Sequence, residues 1–367
     1  MSLEMLGHIY PGPDGTRNPM AKETLSSEKK TVTVLLPDIF ISWAAVQPKV
    51  NPYYQQVKSE LESWVSEMCK LDQRSMDKLM RSDFTCYSSA IISDADLEEY
   101  RTYSAWMIWG FLFDDQFDHG HLRHDYAMAK EEVAINLSLM EDNPDPELFS
   151  CEKYPLRHLQ HWIWDRFAKK SSSALQRRYK ESMKHYMLGI IDQLHEERAN
   201  PSVSSLTPLE HLAMRHRTVA IKPCYALSEY AYGLEVPQYV FDNKVIKELE
   251  DLALDIIALE NDMVSFKKEQ LMGEPNNIIE IYCQQGFSKQ GAYDEAEKLY
   301  RACYRQWYIA LSEMPSWGET VDAQVQQYIG SIQNVCRATF YHSFKSERYF
   351  GNARDTVRKT RIIDVLA

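Results

Sequence analysis

Apolar residues recur every three or four positions along most of the chain, the period of an amphipathic α-helix. Between Asn243 and Leu271 the apolar positions Val245, Leu249, Leu252, Ile256, Leu259, Met263 and Phe266 alternate by four and three. This predicts one long helix with a buried face. Asp94 or Asp96 supplies a cap for a helix running through Tyr100, Tyr103, Met107 and Phe111 to Asp118. Asn51-Pro52 reads as N-cap and first helical position, and Thr207-Pro208 opens a helix that ends before Pro223. Lys289–Glu313 and Asp322–Tyr349 read as two more. Strand-like alternation is nearly absent, apart from an extended segment around Thr31–Pro37, and no repeat of fixed period occurs. The connections around Asn143–Phe149, Ala199–Pro208 and Met314–Glu319 look like helix–helix loops rather than domain linkers. The expected architecture is all-α: a single helical domain over residues 31–367, behind a flexible leader of residues 1–30 that carries Pro11, Pro13 and Pro19.

Composition narrows the function. Glycine is scarce, 13 of 367 residues, and no Gly-rich phosphate loop, GxSxG or HExxH motif occurs. The formal net charge is −12, which repels nucleic-acid phosphates and anionic lipid, so no nucleic-acid partner is expected. An anionic substrate would need local cations or metal ions. The longest apolar run, Ala105–Phe113, is too short for a membrane span, and no stable membrane insertion is expected. Seven cysteines without a CxxC pair read as reduced, mostly buried thiols, so the expected location is cytoplasmic.

Two polar clusters interrupt apolar stripes. In Phe111-Leu-Phe-Asp114-Asp115-Gln-Phe-Asp118, Asp114 and Asp118 share a face, and the turns before them on that face carry Phe111, Met107 and Tyr103. In Asn261-Asp262-Met-Val-Ser265-Phe-Lys-Lys268-Glu269, the residues Asn261, Ser265 and Glu269 form one row, preceded by Ala258, Ile257 and Leu254. At 100° per residue that row lies away from the Leu249/Leu252/Ile256/Leu259 face. Both clusters fall at helix C-termini, where the macrodipole favours cations. Carboxylate, amide and hydroxyl oxygens without Cys or His suit Mg2+ or Mn2+ rather than zinc. Each cluster alone also fits a solvated helix face, and Tyr103, Met107 and Phe111 alone fit an ordinary core. Together, polar ends on apolar stripes predict a cavity with an oxygen-donor rim, suited to a phosphate or diphosphate joined to an apolar group.

These residues resemble the class I terpene cyclases, in particular the single-domain sesquiterpene synthases of fungi and bacteria. Asp114-Asp115-Gln116-Phe117-Asp118 resembles the DDxxD motif, and Asn261-Asp262-x-x-Ser265-x-x-Lys268-Glu269 matches the NDxxSxxxE motif. Arg348-Tyr349 resembles the family's RY pair, and Arg215, 46 residues before Asn261, stands where the family places a diphosphate-sensing arginine, followed by Thr218 and Val219. The resemblance covers about residues 35–355 and, around Asp114–Gly120, is similar to fungal enzymes of the presilphiperfolanol-synthase type. It departs at Gly110, where relatives often carry an aromatic, and at Phe340-Tyr341-His342, where a tryptophan is common. These departures alter the cavity wall and so the product, not the reaction class.

The resemblance implies a sesquiterpene synthase acting on farnesyl diphosphate with three Mg2+ ions, Mn2+ being able to substitute. Asp114, assisted by Asp118, would hold two ions, and Asn261, Ser265 and Glu269 the third. Arg215, Lys268, Arg348 and Tyr349 would hold the diphosphate, while Tyr103, Met107, Phe111, Thr218 and Val219 would line the cavity. Dimers are frequent among such proteins, which makes a homodimer the expected assembly if the chain self-associates. A chain-elongating prenyltransferase should carry a second aspartate-rich motif in place of NDMVSFKKE, and a non-catalytic helical scaffold should not bind diphosphate with magnesium.

Overall fold

The computed structural model describes residues 30–118, 120–199, 206–273 and 276–367. The leader expected over residues 1–30 lies, apart from Lys30, outside them. The helical period is realised as a layered bundle. Its first helices are α1 (Tyr54–Met68), α2 (Gln73–Ser82), α3 (Phe84–Ile91) and α4 (Leu97–Asp118). Then follow α5 (Tyr126–Ser138), α6 (Pro155–Lys170), α7 (Ser173–Ala199), α8 (Pro208–Thr218) and α9 (Ile221–Tyr232). The last are α10 (Gln238–Phe241), α11 (Lys244–Met272), α12 (Ile278–Gln284), α13 (Lys289–Ser312), α14 (Glu319–Lys345) and α15 (Arg354–Thr360). A strand near each end, β1 (Thr31–Leu35) and β2 (Ile362–Leu366), pairs antiparallel with Thr31 opposite Leu366.

Buried apolar side chains form one cluster that runs from Val34 to Val365. Helix α11 packs against α8, α13 and α14, and α14 packs in turn against α3 and α9. Helix α4 packs against α3, α6 and α9, and α7 against α8 and α9. Gly189 permits the close approach of α7 to α8: a Cβ there would lie 2.7 Å from the Arg217 carbonyl oxygen. The capping box of Thr207 and Glu210 starts α8 where the Thr207-Pro208 signal places it.

Three local features depart from the pattern reading, while the end of α8 before Pro223 follows it. Asn51 is not an N-cap: α1 starts at Tyr54, and the buried Asn51 amide donates to the Ile92 and Ala95 carbonyls at 2.9 Å. The break between α8 and α9 falls at Val219-Ala220, with Ala220 in the left-handed region at φ 55°, and Pro223 lies in the first turn of α9, where a missing N–H costs nothing. Helix α14 ends at Lys345 rather than Tyr349, because Ser346 turns extended and the Glu347 N–H donates to the Arg81 carbonyl at 3.3 Å. Strand β2, the β-branched run Ile362–Leu366, lies outside the elements read from the pattern. It exists because β1 offers it a partner.

Candidate functional site

The ends of α4 and α11 open onto one cavity. Asp114 and Asp118 line one side, and Asn261, Ser265, Lys268 and Glu269 the other. Arg215 from α8 and Arg348-Tyr349, just past α14, complete the mouth. The polar row on α11 is extensively cross-linked. Asn261 accepts from Arg215 at 2.7 Å and donates to the Tyr349 hydroxyl at 3.0 Å. Glu269 accepts from the Asn277 amide at 2.8 Å. Burial, reinforced by the nearby charge of Asp262, pushes the Glu269 carboxyl above its ordinary range.

Asp262 faces away from the cavity and braces the row. It lies 2.6 Å from His211 Nε2 and 3.3 Å from Arg215 Nε, and accepts the Ile278 N–H at 2.9 Å. Burial opposes its charge, but Arg215 and His211 outweigh that and hold its carboxyl below the usual carboxylate range. The Asp262 carbonyl also accepts from Asn277 at 2.8 Å, so the start of α12 is tied to the same point.

On the α4 side, the Tyr186 hydroxyl from α7 donates to Asp114 at 2.9 Å. Burial and the neighbouring Asp115 nevertheless push the Asp114 carboxyl up to about 6, against the pull of Tyr186, Arg215 and Arg348. Asp115 is turned into the protein, 3.9 Å from Arg348 and 3.7 Å from Lys78 on α2. Burial pulls the Lys78 ammonium down despite that carboxylate. Arg123 donates to the Asp118 carbonyl and stands 3.8 Å from Glu197 at the cavity edge.

Below the rim the lining turns apolar. Phe111 stacks on Phe84 with centroids 4.0 Å apart, and the Arg348 guanidinium lies 4.8 Å from the Phe111 ring. An adjoining pocket shares Tyr87, Phe111 and Val219 with the first and extends to Trp106, Met107 and Gly110. The side chain that Gly110 lacks is therefore pocket space.

The donor set fits a hard cation. Ser265 Oγ is buried on the cavity side of α11, beside the Glu269 carboxyl whose charge it favours. No three His, Cys, Asp or Glu side chains among the described residues gather to hold an ion. Two carboxylates on one rim and an amide, a hydroxyl and a carboxylate on the other suit ions that take further ligands from a substrate.

Of the residues read from the sequence, Asp114, Asp118, Arg215, Thr218, Val219, Asn261, Ser265, Lys268, Glu269, Arg348, Tyr349 and Phe111 line this cavity, and Met107 lines its extension. Tyr103 does not. It is fully buried one turn deeper, and its hydroxyl donates to the Cys224 carbonyl at 3.2 Å. A shared helix face cannot tell a cavity wall from the core beneath it. Arg217 turns outward and pairs with Asp192 at 2.6 Å. Tyr186, Lys78, Arg123 and His211 carry no local sequence signal, because their roles depend on which helix lies opposite.

Solved structures with this architecture include two terpene synthases. The linalool/nerolidol synthase from Streptomyces clavuligerus, in complex with 2-fluorogeranyl diphosphate, has a TM-score of 0.71 at 22% identity, covering 80% of this chain and 100% of that one. The α-eudesmol synthase has a TM-score of 0.70 at 21% identity, covering 81% and 96%. These likenesses establish the fold. In sequence, silphinene synthase peniA of Penicillium patulum is 34% identical over 363 residues, 98% of this chain and 96% of that protein. The (+)-eremophilene synthase of Gibberella fujikuroi is 33% identical over 336 residues, 90% of this chain and 92% of that protein. Residues 105–306 match the model of terpene synthase family 2, C-terminal metal binding. The chain belongs to the terpene synthase family, and its fold is the all-α fold of class I terpenoid enzymes.

Proposed function

We propose that the chain is a sesquiterpene synthase that ionises farnesyl diphosphate, releases diphosphate and cyclises the resulting cation. The observation that carries this reading is the convergence of oxygen donors from α4 and α11, with Arg215, Lys268 and Arg348, on the mouth of one cavity with an aromatic and apolar wall. Asp114 and Asp118 on one rim, and Asn261, Ser265 and Glu269 on the other, would hold three Mg2+ ions, or Mn2+ in their place; bound there, such ions supply Lewis-acid neutralisation of the diphosphate.

The chain's own residues do the rest. Arg215 and Arg348 offer forked donors to the diphosphate oxygens, and Lys268 and the Tyr349 hydroxyl add single contacts. Charge that builds on the departing diphosphate as the carbon–oxygen bond breaks is thus met by fixed donors. Asn261 aligns Arg215 and Tyr349 by bonding to both. The allylic cation left behind lies against Phe111 and Tyr87, whose ring faces attract positive charge by about 2 kcal/mol each when water is excluded. Among the described residues no helix is long and apolar enough to cross a membrane. Cytoplasmic residence, residues 31–367 acting as one domain and a homodimeric assembly belong to the same proposal.

The test is incubation with farnesyl diphosphate and MgCl2, followed by gas chromatography–mass spectrometry and a diphosphate assay. A cyclic sesquiterpene and an equal amount of diphosphate are expected, and neither after EDTA. Diphosphate release that requires isopentenyl diphosphate would make the chain a prenyltransferase, and no release from either mixture would remove the catalytic reading.

A further inference from the structure

Besides Arg123 at its edge, the cavity carries a basic group in its wall that diphosphate binding does not use. His342, on α14 and six residues before Arg348, lines the cavity, yet is only 2% exposed. Its Nε2 lies 2.6 Å from the Ser82 carbonyl oxygen. A carbonyl only accepts, so Nε2 carries the proton and Nδ1 the lone pair. No donor among the described residues bonds Nδ1. The ring is fixed in place: it stacks on Tyr87 with centroids 5.0 Å apart and planes 12° apart, and its centroid is 6.4 Å from that of Phe111. Tyr87 is itself anchored, its hydroxyl 2.5 Å from Thr339 Oγ1.

We propose that His342 is the base that ends the reaction, its Nδ1 taking a proton from the carbon next to the final cationic centre, so that the product is a hydrocarbon. The inference rests on the sesquiterpene synthase reading. In the step, a C–H bond breaks, its electron pair becomes the π bond of a new alkene, and the positive charge passes from carbon to the imidazolium. A new N–H bond forms at Nδ1, while Nε2–H stays on the Ser82 carbonyl. The imidazolium gives the proton to water when the product leaves.

The surroundings suit this task. Burial pulls the imidazole down to about 4, against the Ser82 carbonyl, with Arg348 adding to the fall. At neutral pH the side chain therefore enters each turnover uncharged, does not repel the carbocation and keeps its lone pair. A cation β-C–H is so strong an acid that a weak base suffices. A weakly basic imidazole also returns its proton readily and resets the site. The other polar groups of this wall, Thr339 and Ser343, are hydroxyls with no comparable basicity.

Two variants separate the base from the scaffold. His342→Phe keeps an aromatic ring but loses both nitrogens, and His342→Gln keeps a donor for Ser82 but has no imidazole lone pair. Products from farnesyl diphosphate are quantified against diphosphate released by the same sample. The expected result for both is that the main hydrocarbon formed per diphosphate falls about 100-fold, with alcohols and alternative alkenes in its place. Wild-type hydrocarbon yield per diphosphate in His342→Gln, whatever His342→Phe does, would reduce the residue to a brace for Ser82 and overturn the proposal. A wild-type product that is mainly an alcohol would overturn it too. Wild-type protein that releases no diphosphate would instead defeat the underlying reading.

Discussion

The two rims of the cavity both present oxygen donors but are held differently. The α11 rim is braced before anything binds: Asn261 bonds two partners, Glu269 is held by Asn277, and Asp262 locks His211, Arg215 and the start of α12 together. On the α4 rim, Tyr186 is the side-chain brace on Asp114, and that carboxyl is pushed up to about 6. Burial raises a carboxyl on each rim, Glu269 on α11 and Asp114 on α4, and what differs is the number of bonds that fix the α11 row.

The comparison can be broken most decisively at the donors themselves. Asp114→Ala and Asn261→Ala should each lower turnover by on the order of 10³-fold or more, with helical circular dichroism unchanged, since each removes a group that would hold the cations meeting the diphosphate charge. Full activity in either variant would show that its rim is not the metal rim. Next in size, Asp262→Ala should destabilise the fold by about 3–5 kcal/mol in urea denaturation, because it leaves Arg215 and His211 facing a buried gap. It should also weaken diphosphate binding, as Arg215 loses its brace. Loss of activity without loss of stability would place Asp262 among the ligands instead.

The smallest effect is expected at Tyr186. Tyr186→Phe removes one hydrogen bond, about 1 kcal/mol, from the α4 rim. That bond favours the ionised carboxylate, so Asp114 should become harder to ionise. Activity that needs Asp114 charged falls as the pH drops through about 6 in the parent chain, and the variant should lose it at a higher pH, by less than one unit. An unmoved acid limb in a pH–rate profile would mean that another group sets it.

Much of this was legible from spacing. The row Asn261, Ser265 and Glu269 and the pair Asp114 and Asp118 were readable because helical period alone fixes which residues share a face. Whether those faces meet is a separate matter, and Tyr103 marks the limit: it lies on the Asp114 stripe, yet sits in the core against the Cys224 carbonyl. The same limit hides Lys78 and Tyr186. Each is one polar residue in an ordinary helix, made relevant by a neighbour distant along the chain. The two buried ends of chemistry on α11 make the point in adjacent residues. Asn261 lines the cavity, while Glu260 turns into the core, where burial pushes its carboxyl up to about 8 against the pull of Ser343.

By itself, the sequence determined the helical class, the long α11, the two oxygen-donor rows and the family to which they belong, because these depend on local periodicity and on motifs carried by single helices. Only the tertiary structure decided the rest: that α14 stops at Lys345 so that Arg348 and Tyr349 swing over the mouth, that β2 forms against β1, and that His342 stands in the wall with one nitrogen spoken for. Those outcomes turn on backbone and side-chain partners far apart in the chain. A hydrogen bond such as Glu347 N–H to the Arg81 carbonyl leaves no trace in the residues on either side of it.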